Sequence, residues 1–185
     1  ELRRALEQIG RGRFFRSGQV ISMEELERLI DEIVAISESL SKTHTGALIV
    51  FEREVGLNDY IDTGIAIDGL VSRELLGNIF IPNTPLHDGA VIIRENRIMA
   101  AGCLLPLTSD RSLSTELGTR HRAAIGISEL ADAVVVVVSE ETGSISYTYG
   151  GHIYRHLDGN ALRNVLKTFL NRTPQGLANI FKWRP

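Results

Sequence analysis

The sequence predicts one α/β domain in which helices flank a mixed central β-sheet. Its 185 residues suit a single domain, and 43% of them are hydrophobic, which is enough for a sizeable core. Residues 133–138 are an alanine followed by five valines, and an unbroken β-branched run favours a fully buried central strand. Helical and strand patterns alternate along the chain without internal repeats or a low-complexity linker. We therefore expect a single globular domain.

Apolar residues at helical spacing predict the helices. Ser22 lies three residues before Glu25, which is a capping-box pattern, and helical spacing continues from there to about Ser41. Further helices are predicted over residues 72–80 and 119–127. Two amphipathic faces complete the set: Leu2, Leu6 and Ile9 in a short first helix, and Leu162, Val165, Leu166, Phe169 and Leu170 in the last one.

Short apolar runs predict the strands. Two polar residues, Glu95 and Asn96, separate two such runs and indicate a β-hairpin. A loop is expected around residues 56–59, and Pro82 and Pro85 enclose a stiff turn. The predicted strands are residues 46–51, a short strand within the mixed segment 61–67, and residues 89–94, 97–105, 133–138 and 144–149.

The net charge and the cysteine content exclude some classes of function. The net charge of −3 does not indicate a nucleic-acid partner. The first sixteen residues nevertheless contain five arginines, which fits either a solvated basic helix or a segment on the cytoplasmic side of a membrane. No apolar run reaches the ~18–20 residues that a spanning helix needs. The single cysteine, Cys103, lies in an apolar stretch, so we expect a core thiol and no Cys-rich zinc site.

Several common catalytic motifs are absent. The chain has no G-x-x-x-x-G-K-[ST] phosphate loop, no dinucleotide-binding fingerprint and no G-x-S-x-G nucleophile motif. His152 and His156 have a spacing that suits a metal site on a helix. They lack the Glu of zinc proteases, and nearby glycines make a helix doubtful there, so we expect ordinary surface histidines.

Two polar clusters are candidates for chemistry. The first is His87-Asp88-Gly89-Ala90, where a turn enters an apolar strand. Asp88 suits an acid–base role there, and Gly89 lets a ligand approach the backbone. The competing interpretation is a turn aspartate that caps its own backbone.

The second cluster, Gly118-Thr119-Arg120-His121-Arg122, lies at a predicted helix start. Free amides and the positive end of the helix dipole suit phosphates, and the two arginines add forked donors. A merely basic surface is the alternative. A third candidate, Ser139-Glu140-Glu141, follows the valine strand, where it is either part of a ligand site or a solvated acidic turn.

The order of these motifs resembles the diadenylate cyclase domain family. The Asp-Gly-Ala triplet followed about thirty residues later by Gly-Thr-Arg-His-Arg is the most specific part, and the likeness spans roughly residues 45–150. The matching stretches are Asp62-Thr63-Gly64, residues 82–91 around Asp88-Gly89-Ala90, Leu105-Pro106-Leu107, residues 118–124 and residues 139–143. One position departs from the pattern: Leu104 stands where an aromatic residue is expected near the adenine.

The resemblance implies an enzyme that joins two ATP molecules into the second messenger cyclic di-AMP and releases two pyrophosphates. It implies catalysis by Asp88, Gly89 and Ala90, and a divalent ion, Mn²⁺ or Mg²⁺, on His87 and Glu141, with Glu140 as the alternative. Carboxylate suits both ions, and an imidazole ligand favours Mn²⁺. The remaining implied site residues bind ATP: Gly102, Leu104 and Leu105 near the base, and Gly118, Thr119, Arg120, His121 and Arg122 at the phosphates.

The product joins two ATP molecules symmetrically while one domain offers one ATP site, so we expect a face-to-face homodimer during turnover. The basic start resembles the membrane-anchored branch of the family. That branch implies a membrane-proximal segment over residues 1–20, a catalytic domain over residues 21–185 and an anchor upstream of residue 1. The domain would then lie at the cytoplasmic face of the cell membrane in a bacterium. It also implies a YbbR-repeat regulator and phosphoglucosamine mutase as partners.

Two other functions compete. A regulatory module that binds ATP or cyclic di-AMP without chemistry would keep Arg120 and Arg122 but would need neither Asp88 nor a metal pair. A purely structural oligomerisation domain would not explain two arginines and a histidine at one helix start.

Overall fold

A seven-stranded mixed sheet forms the centre of the fold, as a computed structural model shows for residues 21–110, 114 and 117–171. The predicted first helix and the basic segment of residues 1–20 lie outside the described residues. The strands are β1 (Ala47–Glu52), β2 (Ile65–Leu70), β3 (Ala90–Arg94), β4 (Arg97–Cys103), β5 (Val134–Val138), β6 (Ile145–Tyr149) and β7 (His152–Leu157). Their spatial order is β2-β4-β3-β1-β5-β6-β7. Only the β1–β3 pair among these is parallel, so the predicted mixed sheet is confirmed.

Helices cover both faces of this sheet. They are α1 (Met23–Lys42), the single turn α2 (Asn58–Ile61), α3 (Arg73–Ile79), α4 (Thr119–Leu130) and α5 (Gly159–Leu170). One apolar cluster joins α1, α3 and α5 to alternate residues of the strands, such as Ile49 and Val136. The other joins α4 to the residues between them, such as Leu48 and Val137. Because strand side chains alternate between faces, the two clusters form one three-layer α/β/α domain. No helix within the described ranges is long and apolar enough to cross a bilayer.

Local signals placed α1 and β5 correctly. The Ser22 hydroxyl accepts from the Glu25 amide at 3.2 Å, and the Ser22 amide donates to the Glu25 carboxylate at 2.9 Å, which is the predicted capping box. All five valines of β5 are buried, because this strand lies between β1 and β6 and is covered by helices on both faces. The predicted core position of Cys103 is also confirmed, and burial raises the pKa of its thiol to about 11.

Three elements differ from the prediction. Residues 58–61 form a helical turn instead of a loop, because the buried Glu52 carboxylate accepts the Leu57 amide at 2.9 Å and fixes the start of α2. β2 begins at Ile65, after that turn. β7 was not predicted at all. Its exposed and half-buried residues alternate, and pairing with β6 holds it at the edge of the sheet. His152 and His156 therefore lie on a strand, and both are exposed.

Candidate active site

The candidate residues lie together at one end of the central strands β1, β3 and β5. Ala47 at the start of β1 is in register with Val138 at the end of β5, because these strands are antiparallel. β3 is parallel to β1, with Ile49 opposite Val91, so the turn that precedes β3 reaches the same end. The predicted clusters before β3 and after β5 therefore lie on one side of the molecule, although about fifty residues separate them in sequence.

A small cleft of about 50 Å³ opens at this end, between the start of α4 and the end of β5. It brings together two of the predicted clusters. Its lining residues are Gly118, Thr119, Arg120, His121, Val138, Ser139, Glu140 and Glu141. Other predicted site residues do not line this cleft, among them His87, Asp88, Leu104 and Arg122.

The start of α4 carries no side-chain cap. Gly118 is its N-cap residue and offers no side chain, and the first turn contains no acidic residue. Among the described residues, no N-cap side chain accepts a hydrogen bond from the backbone amides of this first turn, whereas a hydroxyl or carboxylate usually does so at a helix start. An anion would satisfy these donors and would also benefit from the helix dipole.

Arg120 is held in place by two neighbours. Its Nη1 donates to the Glu140 carboxylate at 2.7 Å. Its guanidinium also lies flat against Gly46, so close that a Cβ built on Gly46 would be 2.8 Å from Cζ and Nη1. The Nε of Arg120 is buried and has no hydrogen-bond partner within the described part of the chain. Arg120 thus lines the cleft with a guanidinium that Glu140 and Gly46 hold in one position.

His121 is buried at the floor of the cleft. Burial lowers the pKa of its imidazole, and the positive charges of Arg155 and Arg120 lower it further. Since the ordinary value is already near 6.5, His121 is neutral at pH 7 and donates from only one ring nitrogen. Arg155, on β7, is a nearby cation that sequence analysis missed. No local pattern marked it, because only the pairing of β7 with β6 brings it to this side of α4.

The turn before β3 fixes the orientation of His87. Its Nδ1 lies 2.6 Å from the Thr84 carbonyl oxygen. A carbonyl only accepts, so Nδ1 carries the proton and Nε2 presents a lone pair. This is the arrangement in which histidines commonly bind metals. Asp88, the next residue, is exposed.

Gly89 also has a packing role that the sequence did not predict. Its φ is +123°, and a Cβ there would lie 2.6 Å from the carbonyl carbon of Gly102 and 2.8 Å from the Cys103 oxygen. The absence of a side chain at Gly89 therefore lets the backbone of β4 pack closely against it. Ala90 is buried as the first residue of β3, opposite Cys103. Together these contacts place Asp88 beside Gly102.

The segment after β4 carries the residues assigned to the base. Leu104 is 69% exposed, the largest value among the described leucines, whereas Leu105 is half-buried. The amide of Leu104 donates to the Thr63 hydroxyl at 2.9 Å. Further along, the Thr108 amide donates to the Arg122 carbonyl at 3.1 Å and ties the segment to α4. An apolar side chain is thus presented to solvent on a well-anchored backbone.

Glu140 and Glu141 differ in their availability. Glu140 is occupied by Arg120, whereas Glu141 is exposed and makes no hydrogen bond or ion pair among the described residues. The turn that carries them is fastened to α1, because the Ser41 hydroxyl donates to the Gly143 carbonyl at 2.6 Å. Within the described ranges no three His, Cys, Asp or Glu side chains come close enough to form a complete metal site.

An uncapped helix start that carries Arg120 and Arg122, beside the exposed carboxylate of Glu141, is the kind of site that binds phosphate groups in α/β domains. Comparison with known proteins identifies the protein family. The family model described as "DisA bacterial checkpoint controller nucleotide-binding", abbreviated DAC, matches residues 34–153. The chain belongs to this family, the diadenylate cyclases, and is therefore a nucleotidyltransferase.

Two curated relatives and two solved structures agree with this assignment. The chain is 50% identical over its whole length, and over 68% of theirs, to cyclic di-AMP synthase CdaA of Bacillus subtilis and to a diadenylate cyclase of Listeria monocytogenes. It matches a double mutant of DacA from Staphylococcus aureus with a TM-score of 0.78 and 49% identity, over 81% of this chain and 99% of that one. A hypothetical membrane-spanning protein from Bacillus cereus matches with a TM-score of 0.66 and 46% identity, over 69% and 62% of the two chains.

Proposed function

We propose that this domain condenses two molecules of ATP into 3′,5′-cyclic di-AMP and releases two pyrophosphates. The observation that carries the proposal is the cleft itself, in which an uncapped helix start and Arg120 face the free carboxylate of Glu141. The residues that line this cleft suit phosphate oxygens together with a cation. Asp88, an exposed carboxylate with no role in holding the fold together, lies at the same end of the central strands.

The phosphates bind at the start of α4. The amides after Gly118 and the hydroxyl of Thr119 donate to phosphate oxygens, and Arg120 and Arg122 neutralise their charge. Arg122 is half-buried and makes no ion pair within the described part of the chain, so its guanidinium is available. The neutral imidazole of His121 adds one donor.

The adenine lies against Leu104, Leu105 and the backbone at Gly102. The exposed Leu104 side chain offers an apolar surface to one face of the base, in place of an aromatic ring. Burying this surface under a base is favourable by roughly 25 cal/mol per Å² of apolar area. The support for this placement is that the exposed Leu104 follows Gly102, which lies against the turn that carries Asp88.

The chemistry is a phosphoryl-group transfer. The ribose 3′-oxygen of one ATP attacks the α-phosphorus of the other, and the bond from that phosphorus to the β-phosphate bridging oxygen breaks. Asp88 orients the 3′-hydroxyl and accepts its proton as the new P–O bond forms. Pyrophosphate leaves with the bridging oxygen. A second, equivalent step closes the ring and releases the second pyrophosphate.

A divalent cation fits the donors that this chain offers. His87 presents Nε2, and Glu141 presents an unpaired carboxylate, so we assign the ion to these two residues in preference to Glu140, which is paired with Arg120. Mn²⁺ or Mg²⁺ would supply charge neutralisation at the phosphates and the leaving pyrophosphate. Two protein ligands are fewer than either ion requires, which fits a metal that is completed by phosphate oxygens and water.

Turnover requires two domains that face each other about a two-fold axis. The described part of each chain offers one such cleft for phosphates, whereas the product contains two equivalent nucleotides. In the cell we expect the domain at the cytoplasmic face of the membrane, with residues 1–20 as the membrane-proximal segment and residues 21–185 as the catalytic domain. A YbbR-repeat regulator and phosphoglucosamine mutase remain expected partners.

Product analysis tests the proposal. The chain is incubated with ATP and either Mn²⁺ or Mg²⁺, and nucleotides are identified by mass spectrometry. We expect cyclic di-AMP and two pyrophosphates per product. Tight ATP binding without any cyclic or linear dinucleotide would overturn the proposal in favour of a regulatory binding module, and absence of both binding and product would favour a structural domain.

A further inference from the structure

One motif of the sequence, Asp62-Thr63-Gly64, has no part in the proposed chemistry. It lies between α2 and β2 and lines no part of the phosphate cleft. Besides its bonds to the preceding turn α2, its contacts are with the end of β4. There the backbone leaves the sheet and carries Leu104 into solvent.

The Thr63 hydroxyl joins two backbone groups. It donates to the Tyr60 carbonyl at 2.6 Å and accepts from the Leu104 amide at 2.9 Å. The direction of both bonds is fixed, because a carbonyl only accepts and an amide only donates. The single hydroxyl proton is used by Tyr60, which leaves an oxygen lone pair for Leu104.

This hydroxyl replaces a sheet partner for Leu104. β4 ends at Cys103, and the first residue pair between β2 and β4 joins Ile65 to Ala101. Beyond that pair, the hydroxyl of Thr63 is the group that holds the Leu104 amide. Gly64 permits the close approach, since a Cβ there would lie 2.5 Å from the Cys103 sulfur and 2.7 Å from the Ala101 oxygen.

Leu104 is the residue that presents an apolar surface to solvent at this point. Two residues before it, the left-handed Gly102, with a φ of +66°, turns the chain beneath Asp88 and Gly89. The direction of the Leu104 side chain follows from how its own amide is held. Thr63 therefore controls the geometry of the base-contacting segment without touching the phosphate cleft.

We propose that Thr63 is a positioning residue for the purine base, acting through the Leu104 amide. This inference rests on the proposed function, because it assumes that a base lies on Leu104. On this proposal, binding of the base depends on Thr63, whereas binding of the triphosphate depends on the start of α4.

Thr63→Val tests the idea because it removes the hydroxyl and keeps the shape of the side chain. A typical hydrogen bond contributes about 0.5–1.5 kcal/mol net, so we expect KM for ATP to rise about 2- to 10-fold while kcat changes less than 2-fold. Thr63→Ser keeps the hydroxyl and should restore the wild-type KM. Thr168→Val is the matched control, because the Thr168 hydroxyl also bonds a backbone carbonyl but lies on α5.

Binding of inorganic tripolyphosphate separates positioning from a general loss of structure. It has no base, so Thr63→Val should weaken AMP and ATP binding while leaving tripolyphosphate inhibition unchanged. Equal losses for ATP and tripolyphosphate would overturn the inference, as would a serine variant no better than the valine one. If the valine variant does not fold, Thr63→Ala against Thr63→Ser gives the same comparison.

Different results would contradict the proposed function and the proposed role of Thr63. A wild type that neither binds ATP nor forms a dinucleotide would remove the proposed function itself. A wild type that forms cyclic di-AMP alongside a Thr63→Val variant of unchanged KM would remove only the role of Thr63.

Discussion

Gly46→Ala offers a test of the phosphate site that alters no charge and no proposed catalytic group. Gly46 directly precedes β1 and has a backbone conformation that alanine adopts, since it is not among the residues of positive φ. The added methyl group would lie 2.8 Å from Cζ and Nη1 of Arg120 and 3.1 Å from Nε. Ordinary contacts begin near 3.4 Å, and all three atoms belong to one rigid plane, so the whole guanidinium has to move.

The size of the effect follows from what Arg120 does. Complete loss of a charge-assisted hydrogen bond costs about 1.5–3 kcal/mol, or roughly 10- to 150-fold in ATP affinity, and Arg120→Ala should reach that range. A displaced guanidinium keeps its charge, so we expect Gly46→Ala to weaken ATP binding by about 5- to 30-fold. Stability should fall by about 1 kcal/mol or less, because the Arg120–Glu140 pair is partly exposed and such pairs contribute little.

Calorimetric titration with a non-hydrolysable ATP analogue measures this effect, and thermal unfolding monitors stability. Gly77→Ala is the control, because its methyl group would meet only the Ile36 side chain at an ordinary 3.5 Å. If Arg120→Ala weakens binding but Gly46→Ala does not, the contact between Gly46 and Arg120 has no part in positioning the arginine. If neither variant weakens binding, the triphosphate lies elsewhere.

Three further predictions concern the mechanism. Asp88→Asn should lower turnover by about 10²- to 10⁴-fold with little change in ATP affinity, as steady-state kinetics and calorimetry would show, and near-normal turnover would exclude Asp88 as the base. Glu141→Gln should raise the Mn²⁺ concentration that gives the half-maximal rate at least tenfold, whereas Glu140→Gln should raise it less. A larger effect of Glu140→Gln would assign the metal to Glu140 instead. Specific activity should fall on dilution, because dissociated chains cannot react, and constant activity at concentrations where light scattering detects only monomers would refute the two-domain mechanism.

The buried strands and the long helices could be predicted from sequence because their signals are local. The valine run of β5 and the capping box at Ser22 each specify an element within a few residues. β7 could not be predicted in this way. Apolar and polar residues alternate only weakly in its sequence, and pairing with β6 stabilises the strand. Arg155 was missed for the same reason, although its charge acts on His121.

The candidate site, too, was predicted in part from the sequence and decided in part by the tertiary structure. The sequence by itself determined the residue types and their order: an acidic turn before a strand, a basic helix start and a pair of glutamates, which together indicate the family. The tertiary structure decided which donors are available. It paired Glu140 with Arg120, left Glu141 without a partner among the described residues, buried His121 and bound the Nδ1 of His87 to the Thr84 carbonyl. It also showed that Gly89 accommodates β4 and that Thr63 holds Leu104. These contacts join residues far apart in the chain, and only the register of the sheet and the packing of helices on it bring them together.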